Sequence, residues 1–150
     1  MKRLIITQTA ALLGLLCTAA NGSPLEQCEI QFNNGSRLEL PVARSQVEKA
    51  KGLTENQNPA PGMLFVWDAP IFKSIWMRDT PAPLTAAFIG PDGLVQSVQD
   101  MTPNTDTPHY SMRPFISIIE VPRGKLTELG VERGSYVVRS TCFQLAAIGK

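Results

Sequence analysis

Residues 85–101, "TAAFIGPDGLVQSVQDM", decide how the chain is read. Two short runs, "TAAFIG" and "LVQSVQDM", bracket Pro91-Asp92-Gly93. Pro presets the backbone for the start of a turn, Asp bonds to the chain ahead of it, and Gly tolerates positive φ. The stretch is therefore expected to be a β-hairpin, and the rest of the chain repeats its grammar of short strands and tight turns.

Upstream, "CEIQF" and "SRLELPVA" flank "NNG", whose Asn34-Gly35 supplies positive φ angles, so residues 28–42 are expected to form a first hairpin. Leu38, Leu40 and Val42 share one face of its second strand and Arg37 and Glu39 the other, as a half-buried strand requires. The period then changes. "SQVEKAKGL" offers Ser45 as N-cap, Glu48 to complete a capping box and Gly52 as the stop, which defines a short helix. "TENQNPAP" (54–61) is a polar surface loop, and "GMLFVW" is a strand by its length and its bounding Gly62 and Pro70.

"KSIWMRDT" is expected to be a strand ended by Pro81 and Pro83, which cannot donate ladder hydrogen bonds. Alternation would send Ile75 and Met77 to the core and Trp76 and Arg78 to the surface. Residues 102–114 form the longest irregular segment. "FISIIEVP" is a strand, "GKLTEL" a short helix stopped by Gly130, and "YVVRSTC" the closing strand. About eight short strands with two short helices predict a mainly β (α+β), compact barrel-like domain.

The 150 residues, 43% hydrophobic and 18% charged, suit one globular domain. The first segment is expected to lie outside it. Lys2 and Arg3, an apolar run from Leu4 to Leu16 and small residues around Ala20 and Gly22 predict a signal peptide over 1–22, too short for a lasting membrane span. Leu16 before Cys17 argues against lipid attachment. The single domain is then 23–150, exported, and periplasmic where the cell has two membranes. It carries 12 Lys and Arg against 13 Asp and Glu, a balance that offers no electrostatic argument for nucleic acid or an acidic membrane. Cys28 and Cys142 remain, and in an oxidising compartment the natural reading is one disulfide; the alternative is two separately buried thiols.

Three motif groups, "GMLFVW", "IWMRDTPAPLTAAFIGPDGLV" and "IIEVPRGKLTELGVERGSYV", resemble in order and spacing the family called domain of unknown function 192, over roughly residues 38–138. Gly52-Leu53, Gly62 to Phe65, Trp76-Met77, Thr80, Pro83-Leu84, Asp92-Gly93, Glu120 with Pro122 and Gly124, and Gly130 with Gly134 stand where the pattern wants them. Asp79 replaces its usual Asn, Thr85 its usual Asp and Ser135 a frequent Asp, and residues 54–61 lack its usual Met and Arg. The resemblance implies a small β-rich fold of uncharacterised exported proteins and no established reaction.

For chemistry the chain offers little. His109 is the lone histidine and no Gly-x-Ser-x-Gly elbow accompanies it. No zinc pattern, phosphate loop, calcium loop or dinucleotide fingerprint is present, so neither a metal nor a cofactor is expected. Asp79 and Glu120 sit in apolar contexts where a carboxylate is costly unless paired, which makes them the candidate acid–base pair. An Arg-carboxylate network among Arg78, Asp79, Arg113 and Glu120 at the barrel mouth would satisfy that cost, as structural glue or as a ligand-orienting group. Trp76, Arg78, Asp79, Thr80 and Arg113 are the candidate binding residues. Three functions are compatible with this: a monomeric, non-catalytic protein binding a small molecule, glycan or envelope protein; a cell-envelope hydrolase using paired carboxylates; and a structural accessory.

Overall fold

The computed structural model describes residues 24–146, so the signal peptide expected over 1–22 lies outside the described residues. The N-terminal hairpin comprises β1 (Gln27–Phe32) and β2 (Arg37–Ala43), with Gln31 opposite Arg37. Its second strand buries Leu38, Leu40 and Val42 and exposes Arg37 and Glu39. Of the turn residues only Gly35 takes positive φ, 86°, where the Asn-Gly pair had suggested two. The Gly35 N–H donates to the Phe32 carbonyl and the Phe32 N–H to the Ser36 carbonyl, the pattern of a turn closed by one left-handed glycine. Asn34 is occupied elsewhere, donating from Nδ2 to the Leu129 carbonyl at 2.8 Å.

Helix α1 (Gln46–Lys51) has the expected capping box, with Ser45 accepting from the Glu48 N–H and Glu48 reaching back to the Ser45 N–H. It is the crossover between β2 and β3 (Met63–Ile71), which run parallel with Val42 opposite Leu64 and Ala43 opposite Phe65. On its other side β3 pairs antiparallel with β8 (Phe115–Pro122), which pairs with β5 (Leu84–Ile89), which pairs with β6 (Val95–Met101). With β9 (Val137–Ser140) beside β1, the seven strands run in the order β6-β5-β8-β3-β2-β1-β9.

The sheet curls into a half-barrel whose edges meet at one point. Leu94 bridges Tyr136, and the Val137 N–H donates to the Gly93 carbonyl at 2.8 Å. Gly93 allows this approach, since a Cβ there would stand 2.4 Å from the Val137 carbonyl oxygen. The hairpin of residues 85–101 thus makes one edge of the sheet, and its turn receives the other.

Central strands β5 and β8 are buried on both faces. Ala87, Ile89, Ile119 and Val121 face the barrel interior, packed with Ile30, Phe32 and Leu40. Leu84, Ala86, Phe88 and Ile118 face a second core with Phe65, Met77 and Phe115. That outer core is covered by a two-stranded ribbon, β4 (Ser74–Ile75) against β7 (His109–Tyr110), and by the chain that follows β4. Here "KSIWMRDT" departs from expectation. Only Ser74–Ile75 is strand; the Thr80 N–H then donates to the Met77 carbonyl and Asp79 takes φ 54°, making a turn that drops Met77 into the core. Pro81 and Pro83 leave no run of donors that could have continued the ladder.

Short α2 (Lys125–Glu128) follows β8. Cys28 and Cys142 are joined as a disulfide with their Cα atoms 5.5 Å apart, and it fastens the first strand to the chain just beyond the last.

Candidate functional site

Glu120 belongs to β8, opposite Met63 of β3 and Ala86 of β5, and faces the outer core side of the sheet. Two features of the chain leave a space above it. The β2–β3 pairing is short, and α1, crossing between these strands, holds its C-terminal end over Phe65 and not over Glu120. A cavity of about 290 Å³ results, walled by Lys49 to Thr54 on one side and by Lys73 to Trp76 with Arg78 and Thr80 on the other. Glu120 is its lone acidic lining residue and is 8% exposed.

No hydrogen bond or ion pair from another described residue reaches the Glu120 carboxyl, and burial alone pushes it up to about 7. The polar partners nearby are committed elsewhere. Arg78 donates from Nε to Asp106 at 2.7 Å, a pairing that raises the guanidinium and lowers the Asp106 carboxyl. Both members are exposed, so the pair contributes little stability. Lys49 donates to the Arg44 carbonyl and lies 4.8 Å from the Trp67 ring centroid. Burial lowers the Lys49 ammonium, and Asp68 opposes that shift. Lys51 and Lys73, also lining the cavity, make no ion pair among the described residues.

The expected binding residues separate. Trp76, Arg78 and Thr80 line the cavity together with Glu120. Trp76 is 53% exposed, with the Arg78 guanidinium 5.4 Å from its ring centroid. Thr80 is buried, its hydroxyl donating to the Arg78 carbonyl. Asp79 is exposed on the turn and does not line the cavity; its carbonyl accepts from the Glu55 N–H at 2.7 Å. Arg113 lies elsewhere, beside Leu94 to Gln96, Arg133 and Gly134. The expected Arg-carboxylate network therefore does not form: Arg78 takes Asp106, and Glu120 stands alone. The reason is the turn at 76–80, which carries Arg78 toward the 102–114 loop.

Sequence reasoning missed Lys49, Lys51 and Lys73. They come from α1 and from the residue just before β4, and nothing in their local pattern ties them to residue 120. His109 makes a 3.3 Å contact from Nδ1 to Gln99 Oε1, and burial lowers its imidazole. Thr85, where the family pattern has Asp, donates to Asp100 directly across the β5–β6 ladder at 2.6 Å. A wider depression of about 540 Å³ runs along β9 between Tyr136 and Leu145, and it holds no buried polar group comparable to Glu120. Among the described residues no cluster of three or more His, Cys, Asp or Glu could hold a metal ion, and no helix is long and apolar enough to cross a membrane.

Similar folds are known. A proposed transcription regulator from Sinorhizobium meliloti 1021 superposes with TM-score 0.68 at 24% identity, covering 78% of this chain and 95% of its own. A protein of unknown function from Novosphingobium aromaticivorans DSM 12444 superposes with TM-score 0.66 at 28% identity, covering 75% of this chain and 84% of its own. No curated protein matches the chain. The model of the family described as "Uncharacterized ACR" matches residues 29–138, nearly all of the half-barrel, and the chain belongs to that family, domain of unknown function 192.

Proposed function

We propose that the chain is an exported, non-catalytic binding protein of the cell envelope that takes a small molecule in the cavity over Glu120. The observation that carries this reading is the Glu120 carboxyl, buried at the floor of an open cavity with no protein partner. Ionised, such a group costs the folded chain stability, whereas a ligand supplies the missing hydrogen bond. Trp76 at the rim offers a flat face for stacking. Hydrolysis by two carboxylates would lack its second group here, since Glu120 is the one acid lining the cavity.

Export rests on the basic, apolar and small-residue succession of residues 1–22 and on the Cys28–Cys142 disulfide. The test uses protein purified from outside the cytoplasm, where N-terminal sequencing should find Asn21 or Ser23 first. A thermal-shift screen against sugars, wall fragments and organic acids should then find a ligand that raises the melting temperature by several degrees at about 100 times its dissociation constant. Trp76→Ala should lose that shift while staying folded. A screen in which nothing shifts the wild type would set the small-molecule reading aside in favour of a protein partner.

A further inference from the structure

The cavity has a charge pattern that the binding reading does not use. Its lining holds one acid, at the floor, against four cations. Lys51, Lys73 and Arg78 are exposed, whereas Glu120 is buried, so positive charge surrounds the mouth and the carboxyl lies beneath it. Lys51 and Lys73 have no ion-pair partner among the described residues, and Arg78 commits its Nε to Asp106, leaving its terminal nitrogens for other acceptors. In a domain of nearly balanced charge, this concentration is local. The volume, about 290 Å³, lies at the lower end for small-molecule sites and suits a single ring with short substituents.

Building on the binding reading, we propose that the cavity selects a small ring-bearing organic anion, its carboxylate or phosphate at Lys51, Lys73 and Arg78 and a neutral hydroxyl at the opposite end hydrogen-bonded to Glu120. Trp76 covers the face of the ring. A neutral hydroxyl donates to the ionised Glu120 carboxylate and can either donate to or accept from the protonated acid, while an anion at the floor would meet an apolar surround with no cation to balance it.

Nuclear magnetic resonance titrations of the purified protein test this with five probes: para-hydroxybenzoate, para-hydroxyphenyl phosphate, benzoate, para-hydroxybenzamide and tyramine. Shifts of the Trp76 indole N–H and the Gly52 to Thr54 amides report occupancy. One or both hydroxylated anions should bind about tenfold more tightly than para-hydroxybenzamide or tyramine, because three exposed cations act together. Which of the two anions binds better separates a carboxylate ligand from a phosphate ester. Benzoate, lacking the hydroxyl, should bind more weakly than para-hydroxybenzoate. The double variant K51Q/K73Q, at two exposed positions, should keep the spectrum of the folded protein and lose most of the preference for anions, as should added salt. If the amide or tyramine binds as well as the anions, the cavity binds ligands but the anion proposal is overturned. If none of the five moves the cavity resonances at millimolar concentration, the anion proposal is overturned, while the binding reading is decided separately by the broader thermal-shift screen.

Discussion

Glu120 has Met63 on one side and Ala86 on the other across the ladders, and Ile118 and Phe65 share its side of the sheet. With its carboxyl up near 7 and an ordinary value of 4.5 when unfolded, the folded chain holds the proton more tightly between these limits. Stability from this group is therefore complete below about pH 4.5, falls as pH rises, and is gone above about pH 7, a swing of about 3 kcal/mol. Glu120→Gln keeps the shape of the neutral acid and removes the titration. Urea unfolding should show the variant within about 1 kcal/mol of wild type near pH 5 and about 2 to 3 kcal/mol more stable near pH 8. A wild type no less stable at the higher pH, relative to the variant, would mean that the carboxyl is not held away from charge. A stabilising substitution at the floor of a cavity is what a binding residue predicts, because function keeps a group that folding alone would discard.

At the level of elements, the placement of Glu120 depends on how closely β3 begins against β8. Gly62, just before β3, has φ 115°, and a Cβ there would lie 2.3 Å from the Glu120 carbonyl oxygen and 2.9 Å from a Val121 methyl. Gly62→Ala forces both a conformation that alanine avoids and a backbone clash, so it should cost roughly 3 kcal/mol or more in chemical denaturation. The amides of Met63 and Leu64 should lose hydrogen-exchange protection first. A melting curve unchanged from wild type would show that β3 can begin farther from β8 at no cost. The local signals for α1 were complete in the sequence, since a capping box and a stop glycine act within nine residues. Those for β4 were not, because its truncation is decided by the outer core that Met77 fills and by the Thr105 carbonyl that accepts the Met77 N–H.

For the whole molecule, the disulfide joins residues 114 apart and fastens a short edge strand. Constraint of the unfolded chain by a loop of that size is worth about 4 to 5 kcal/mol in the chain-entropy view. The double variant C28S/C142S should accordingly unfold at lower urea concentration, with a loss of about 3 to 5 kcal/mol, and β9 should lose exchange protection before β3, β5 and β8. Equal stability with and without the bond would mean that pairing with β1 and contact with the Gly93 turn already hold β9 in place.

Sequence by itself determined the hairpins of β1–β2 and β5–β6, helix α1 and the family, because each depends on side chains close in the chain or on turn chemistry, and it favoured the Cys28–Cys142 pairing that the structure shows. It also singled out Trp76, Arg78 and Glu120, through aromatic and charged residues set in apolar runs, and Thr80 beside the first two. Only the tertiary structure decided that Arg78 pairs with Asp106, that Asp79 and Arg113 lie away from the cavity, and that Lys51 and Lys73 border it. These are meetings of segments tens of residues apart. They are set by which faces the outer core buries and where the chain must turn to fill it, and no local pattern records that choice.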